Sequence, residues 1–172
     1  QAVPAPRGHN LKVAGDNGGP LLMKILGTRI EEKSIPIEFN SRALTLIVDD
    51  SDVQQSVIGV KVRIDMQERY VKACSGVILA SGGFVMNEKM VKQYAPELTK
   101  CTVPIGNPGD TGSGILMGMG VGGAAINMHE GFVSLPFYPP ASLTYGVFIN
   151  SQGRRFVNED SYHGRIGAFI LR

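Results

Sequence analysis

Apolar and polar positions are arranged in three different ways along this chain, and each arrangement predicts a different element. From Pro20 to Lys33, Leu21, Leu22, Ile25, Leu26 and Ile30 recur at helical spacing, while Lys24, Arg29, Glu31 and Glu32 fall elsewhere. Pro20 suits the first turn of that helix. "IPIEF", Ile35 to Phe39, reads as a short strand that Pro36 confines to an edge or a strand start. In "VIGVKVRI" the alternation is strict: Val60, Val62 and Ile64 face one way, Lys61 and Arg63 the other. With "ALTLIVDD" before it and "RYVKAC" after it, residues 44–73 are expected to form a three-stranded antiparallel meander with a solvated face. "GVILAS" differs in kind. Its unbroken apolar run predicts a central strand covered on both faces, and it stops abruptly at Ser81-Gly82-Gly83.

The second half has another texture. "NEKMVKQYAPEL" predicts a short helix that ends before Pro96, and "VPIGNPGDTGSG" a loop. "GILMGMGVGGAAINM" reads as a helix of small residues followed by a turn. "FVSLPFYPPASLTYG" is irregular, "VFINSQGRRFVNED" has strand–turn–strand texture with Gly153 at the turn, and "SYHGRIGAFILR" opens a helix. No internal repeat is visible.

Composition narrows the classes. Apolar residues are 43% of the 172 and charged residues 19%, so a packed core is expected rather than disorder. The net charge of +2 is spread without a basic block, which argues against nucleic acid as a partner. Cys74 and Cys101 stand far apart without a Cys-x-x-Cys or Cys/His cluster, which speaks against zinc and against a disulfide framework. No apolar run approaches the roughly 18 residues of a membrane-spanning helix. The opening "QAVPAPRGHN" lacks the apolar stretch of a signal peptide.

Four stretches carry candidate chemistry, each with an ordinary alternative. Gly82 and Gly83 permit close approach of backbone to a ligand, or serve as a plain strand-end turn. Gly118, Gly120 and Gly123 in "GMGVGG" match the spacing of a dinucleotide fingerprint. They lie within or at the end of a helical stretch, however, not between a strand and a helix, so tight helix packing is the better reading. In "GDTGSG", Thr111 can cap the following helix, and Gly112 and Gly114 expose N–H groups at its start; an ordinary capped helix is the alternative. "GRRFVNEDSYHGR" concentrates Arg154, Arg155, Asn158, Glu159, Asp160, Tyr162, His163 and Arg165, a set able to donate or accept protons, against the alternative of a solvated charged loop. His129 and His9 are weaker candidates, Tyr145 and Met128 read as packing residues, and Cys101 has no histidine nearby in sequence to activate it.

Together these motifs resemble the flavoprotein group that includes soluble fumarate reductases, succinate dehydrogenase flavoprotein subunits and ketosteroid dehydrogenases. The strand reading "VVLATGGF" with its following helix is here "GVILASGGFVMNEKMVKQYAP", residues 76–96. The "TGDGI.M" element is "TGSGILMGMGVGGAAINM", residues 111–128, and "G.I.VN..G.RF.NE" is "YGVFINSQGRRFVNE", residues 145–159. The upstream run at residues 18–62 also matches. The resemblance covers nearly the whole chain, in order.

The resemblance implies an α/β (α+β) fold. Residues 1–83 would be part of a Rossmann-like FAD-binding domain carrying the antiparallel meander, and residues 84–172 part of an α+β capping or substrate domain. It implies FAD as cofactor, with Arg42 and Ala43 near the adenine end, and Ala80, Ser81, Gly82 and Gly83 at the strand end approaching FAD. Thr111, Gly112 and Ser113 would lie near the flavin; the family usually carries Asp where this chain has Ser113. It implies hydride transfer at a CH–CH bond coupled to a protein acid or base. Fumarate reductases place an arginine soon after the "NE", and ketosteroid dehydrogenases a tyrosine. Tyr162 stands there, followed by His163 and Arg165, so the pattern leans towards an enone or steroid-like substrate rather than a dicarboxylate. The motif that seats the FAD pyrophosphate is not in this chain. The polypeptide is therefore expected to be the middle of a flavoenzyme, inactive alone, partnered by the rest of its FAD-binding lobe and open to self-association. A NAD-type nucleotide-binding module and a non-catalytic flavoprotein-like interaction domain are the alternatives. The compartment stays open, the cytoplasm favoured over the periplasm.

Overall fold

The computed structural model describes residues 18–51, 55–133, 146–159 and 161–171. His9, Tyr145 and Asp160 lie outside the described residues, as does the proline-rich stretch at 134–145. Ala2–Ser41 and Arg42–Arg172 separate into two compact units.

The first unit contributes α1, Gly19–Glu32, with Pro20 in its first turn as the sequence predicts. Arg29 and Glu32 form an exposed ion pair of 2.6 Å on its surface. The helix ends in a Schellman arrangement: Ile35 N donates to Ile30 O at 3.0 Å and Ser34 N to Glu31 O at 2.9 Å. Beyond it, "IPIEF" joins no ladder among the described residues and ends in a turn at Phe39, so the expected strand is absent. A strand exists only where a neighbour satisfies its backbone groups, and alternation in sequence cannot supply that neighbour.

The second unit holds a three-stranded antiparallel sheet in the order β1 (Ser41–Asp49), β2 (Ser56–Ile64), β3 (Gln67–Lys72). The meander expected from the alternating pattern is therefore present. β2 and β3 pair Val60 with Val71, Lys61 with Tyr70 and Arg63 with Glu68. Asp65 and Met66 connect them, both with positive φ (47° and 65°), the backbone of a two-residue hairpin turn whose twist matches the strands. On the polar face Glu68 lies 2.5 Å from Lys61 and 3.3 Å from Arg63, and both contacts hold its carboxyl below the usual carboxylate range.

After the sheet come α2 (Glu88–Tyr94), a 3-10 turn (Pro96–Lys100), α3 (Ser113–Gly120) and α4 (His163–Ile170). Asn87 starts α2 as its cap, its side chain accepting from Met90 N at 3.2 Å, and the α-helix stops before Pro96 because proline cannot continue its hydrogen bonding. The strand–turn–strand texture near Gly153 reduces to one antiparallel bridge, Ile149 with Arg155. Buried apolar residues are Leu46 on the sheet, Met90, Val91 and Ala95 at α2, Val157, and Ile166 on α4.

A second expected strand is missing. "GVILAS" pairs with no strand among the described residues, and Ile78 is 93% exposed. The apolar run was read as a strand covered on both faces. Such a run records that its environment must be apolar, but the covering strands and helices are other pieces of chain.

Candidate functional site

The strand end and the turn before α3, separated by nearly thirty residues in sequence, are bound together. Gly112 N donates to Gly83 O at 2.8 Å, and Met86 N donates to Asp110 O at 3.0 Å. Asn87 Nδ2 reaches the Thr111 carbonyl at 2.8 Å. The structure thus gathers Ala80, Ser81, Gly82, Gly83, Thr111, Gly112 and Ser113 at the N-terminal end of α3. Side chains interlock across this seam where glycines leave room. A Cβ on Gly114 would overlap Ser81 Oγ, and a Cβ on Gly82 would overlap Asp110 Oδ1. Nothing lies within 4 Å of where a Cβ on Gly83 would stand.

Thr111 does not cap α3, contrary to expectation. Gly112 is the N-cap, with φ 77° and no side-chain hydrogen bond. The chain must turn through the left-handed region here, where glycine alone is free of strain, and that places Thr111 one residue too early. The "GMGVGG" run lies at the far end of the same helix. Gly123 N donates to Gly118 O at 2.9 Å and Gly122 N to Met119 O at 3.0 Å, a Schellman helix end. Those glycines close α3, as their helical placement indicates, and do not form a phosphate loop.

A groove of about 330 Å³ runs along the seam, lined by Leu79, Ser81, Gly82, Gly114, Ile115 and Gly118 and continuing to Met128. Among the described residues no lysine or arginine lines it. Arg42 and Ala43 stand exposed at the beginning of β1. No side-chain hydrogen bond among the described residues joins Arg42 to the seam.

Tyr162, His163 and Arg165 are brought together by α4. His163 is its first residue, and the Tyr162 carbonyl accepts from Arg165 N at 2.8 Å and Ile166 N at 3.1 Å. The Tyr162 ring packs against Phe132, centroids 6.2 Å apart, and is 62% exposed. Glycine again sets the approach: a Cβ on Gly164 would stand 2.5 Å from Phe132 Cε2, and one on Gly167 2.5 Å from Val133 O. Phe132 and Val133 also line an apolar pocket of about 770 Å³ with Val91, Leu98, Val103 and Ile105. Glu88 and Lys92, also in its wall, are paired with each other at 2.5 Å. Cys101 borders this pocket as well.

The charged run before Tyr162 is not a solvated loop throughout. Glu159 is buried; it accepts from Phe148 N at 2.8 Å, from Arg155 Nε at 3.2 Å and from Arg155 Nη2 at 2.5 Å. Arg155 also donates to Asn158 Oδ1 at 3.2 Å. Glu159 therefore clamps the short hairpin that leads into α4. The Arg155 hydrogen bonds first, and the Phe148 N–H second, lower its pKa from 4.5 to about 2. A carboxyl whose folded pKa is depressed stabilises the fold fully above its unfolded value and loses that contribution as pH falls. In the complete enzyme, the melting-temperature gap between wild type and Glu159→Gln is expected to be constant above pH 4.5 and to close between there and about pH 2. A gap that persists well below pH 2 would show that the shape and hydrogen bonding of Glu159, rather than its charge, carry the effect.

Sequence reading singled out most of these residues but not Asp110, whose side chain fills the seam. Asn107 three positions earlier is the available signal, since Asn and Asp in a glycine–proline loop commonly fold back on nearby N–H groups, as Asp110 Oδ2 does here on Asn107 N at 2.8 Å.

Comparisons with known proteins identify the family. A family model described as "FAD binding domain" matches residues 6–172. The chain is 36% identical over 149 residues to the NADH:acrylate oxidoreductase of Vibrio harveyi, covering 78% of this chain and 14% of that protein. It is 32% identical over 167 residues to the 3-oxosteroid 1-dehydrogenase of Mycolicibacterium smegmatis, covering 86% and 28%. Among solved structures, the 3-ketosteroid-Δ4-(5α)-dehydrogenase of Rhodococcus jostii, in complex with 4-androstene-3,17-dione, superposes with a TM-score of 0.84 at 34% identity, covering 98% of this chain and 35% of that one. The chain thus spans about a third or less of the length of these relatives. A family match over almost every residue, with the seam and the α4 cluster assembled in the fold, leads to one conclusion: the chain belongs to the FAD-binding-domain family of FAD-dependent oxidoreductases, and its cofactor is FAD.

Proposed function

We propose that the complete enzyme oxidises or reduces a CH–CH bond next to a carbonyl in an apolar, steroid-like molecule. The observation that carries this reading is the placement of Tyr162. Its ring rests on Phe132, and Phe132 lines an apolar pocket of about 770 Å³, within the usual range of small-molecule sites. A dicarboxylate would need cationic partners. Among the described residues the one cation in that pocket wall, Lys92, is paired with Glu88, so the polar alternative has less support.

The seam fits the cofactor. Gly83 presents bare backbone with open space before it, and the apolar groove beside it suits a flat ring better than a pyrophosphate. In this reading Ala80–Gly83 and Thr111–Ser113 face the flavin, and Arg42 and Ala43 face the adenine end. Residues 1–83 belong to the FAD-binding domain and residues 84–172 to a capping domain that carries the substrate pocket. When bound, FAD takes a hydride from one carbon or returns it. The Tyr162 phenol handles the proton on the neighbouring carbon: as phenolate it accepts the proton when the C=C forms, and as phenol it donates one when the C=C is reduced. Arg165 or His163 orients the substrate carbonyl.

The test is the visible spectrum of the complete enzyme. Addition of a 3-ketosteroid with a CH–CH bond left to oxidise is expected to bleach the flavin band, and a steroid dienone to restore the band of the reduced enzyme. Succinate and fumarate serve as the comparison pair. If only the dicarboxylates act, the substrate assignment is wrong; if neither pair acts in either direction, the CH–CH reaction is wrong as well.

A further inference from the structure

Gly82 and Gly83 look equivalent in sequence, as bare backbone for a cofactor to approach. Their surroundings are opposite. The space in front of Gly83 is open, whereas the space that Gly82 leaves is occupied by protein, the carboxylate of Asp110. Gly82 has φ 79°, so a side chain there would be strained as well as obstructed.

Asp110 is held at both ends. Its Oδ2 accepts from Asn107 N at 2.8 Å, and its carbonyl accepts from Met86 N at 3.0 Å. Its own N donates to Asn107 O at 2.8 Å. The carboxylate also fills the space beside Gly106, where a Cβ would stand 2.9 Å from Oδ2. One residue therefore touches the strand end at Gly82, the loop at Gly106 and Asn107, and the entry to α2 at Met86. Two residues further on, Gly112 N makes the bond to Gly83 O.

We propose that Asp110 is a positioning residue for FAD: its carboxylate is a spacer between the strand end and the turn before α3, and it sets where the open backbone of Gly83 meets the cofactor. The glycine pair thus divides its work. Gly82 admits the spacer, and Gly83 alone is left bare for the flavin. This rests on the reading of Ala80–Gly83 as the wall facing the cofactor.

The experiment measures FAD dissociation constants and the visible circular dichroism of bound flavin for the complete enzyme and three variants, Asp110→Ala, Asp110→Asn and Gly83→Ala. Asp110→Ala removes the spacer and is expected to weaken FAD binding about tenfold, the scale of one lost hydrogen-bonded position. It is also expected to alter the flavin dichroism, which reads the geometry around the ring rather than the integrity of the fold. Asp110→Asn keeps the shape and an oxygen for Asn107 N, and is expected to stay within about threefold of wild type with an unchanged band. Gly83→Ala meets no protein atom, so its expected loss is in FAD affinity with the melting temperature of the apoprotein retained. Wild-type affinity and dichroism in Asp110→Ala overturn the spacer. Equal impairment in Asp110→Asn overturns it too, because charge rather than shape would then be acting. If Gly83→Ala binds FAD like wild type, the cofactor wall itself is wrong; if it weakens binding while Asp110→Ala does not, only the spacer fails.

Discussion

Replacing Tyr162 by phenylalanine is expected to slow the chemical step of the complete enzyme by about 10²–10⁴-fold, the usual worth of a positioned general acid or base. The substitution deletes one oxygen. It leaves the ring packed on Phe132 and the backbone carbonyl that receives Arg165 N and Ile166 N at the start of α4. The ring packing and the start of α4 are therefore kept, and the melting temperature is expected to fall by no more than a few degrees. The rate is to be read by stopped-flow bleaching of the flavin, which isolates hydride transfer from product release. A primary deuterium isotope effect on that step should persist in the variant. A rate within a factor of a few of wild type would remove Tyr162 from the chemistry and turn attention to Arg165 and His163, its neighbours on α4.

The largest expected effect on folding lies at Gly112. An alanine there must adopt φ 77°, which costs about 1–2 kcal/mol for a residue with a Cβ. The new carbon would also overlap Met90 Sδ and stand 2.8 Å from Phe84 Cβ. Met90 is buried at the heart of the unit, so the strain has little room to dissipate, and overpacking adds about 1–3 kcal/mol. Gly112→Ala is therefore expected to lose about 2–5 kcal/mol of stability in urea unfolding, with flavin lost early in the transition, because Gly112 N also ties the seam to Gly83. With FAD removed, Gly83→Ala is the internal control for folding, a glycine in the same seam with nothing in front of it. A loss below about 0.5 kcal/mol at Gly112 would mean that Met90 and Phe84 can move aside and that the left-handed turn is not required.

The elements that could be read directly were those whose period is local. Leu21, Leu22, Ile25, Leu26 and Ile30 announced α1, and the alternation of Val60 to Ile64 announced β2 together with its polar face, where Lys61 and Arg63 meet Glu68. Proline at position 96 marked the end of α2 correctly. The readings that failed were those requiring a partner. "IPIEF" and "GVILAS" have strand composition, but hydrogen bonds to a neighbouring strand are not a property of either segment.

The site divides along the same line. Residue types and spacing were enough to pick out Ser81 to Gly83, Thr111 to Ser113, and Tyr162 to Arg165 as the places where chemistry could reside. Which of them face one another, and which glycine serves the protein rather than the ligand, depended on contacts across long stretches of chain. Glu159 looked like one charge among many and is instead the buried clamp on Arg155 and Phe148 N. Asp110 drew no notice within a glycine–proline loop and occupies the space of Gly82. By itself, the sequence determined the helices, the meander and the family, because these follow from period, propensity and motifs that lie within a few tens of residues. The tertiary structure alone decided that Gly82 is filled and Gly83 open, and that Tyr162 rests beside an apolar pocket. Those facts follow from excluded volume and hydrogen-bond geometry between segments far apart in the chain, and such distances come into being only when the chain is folded.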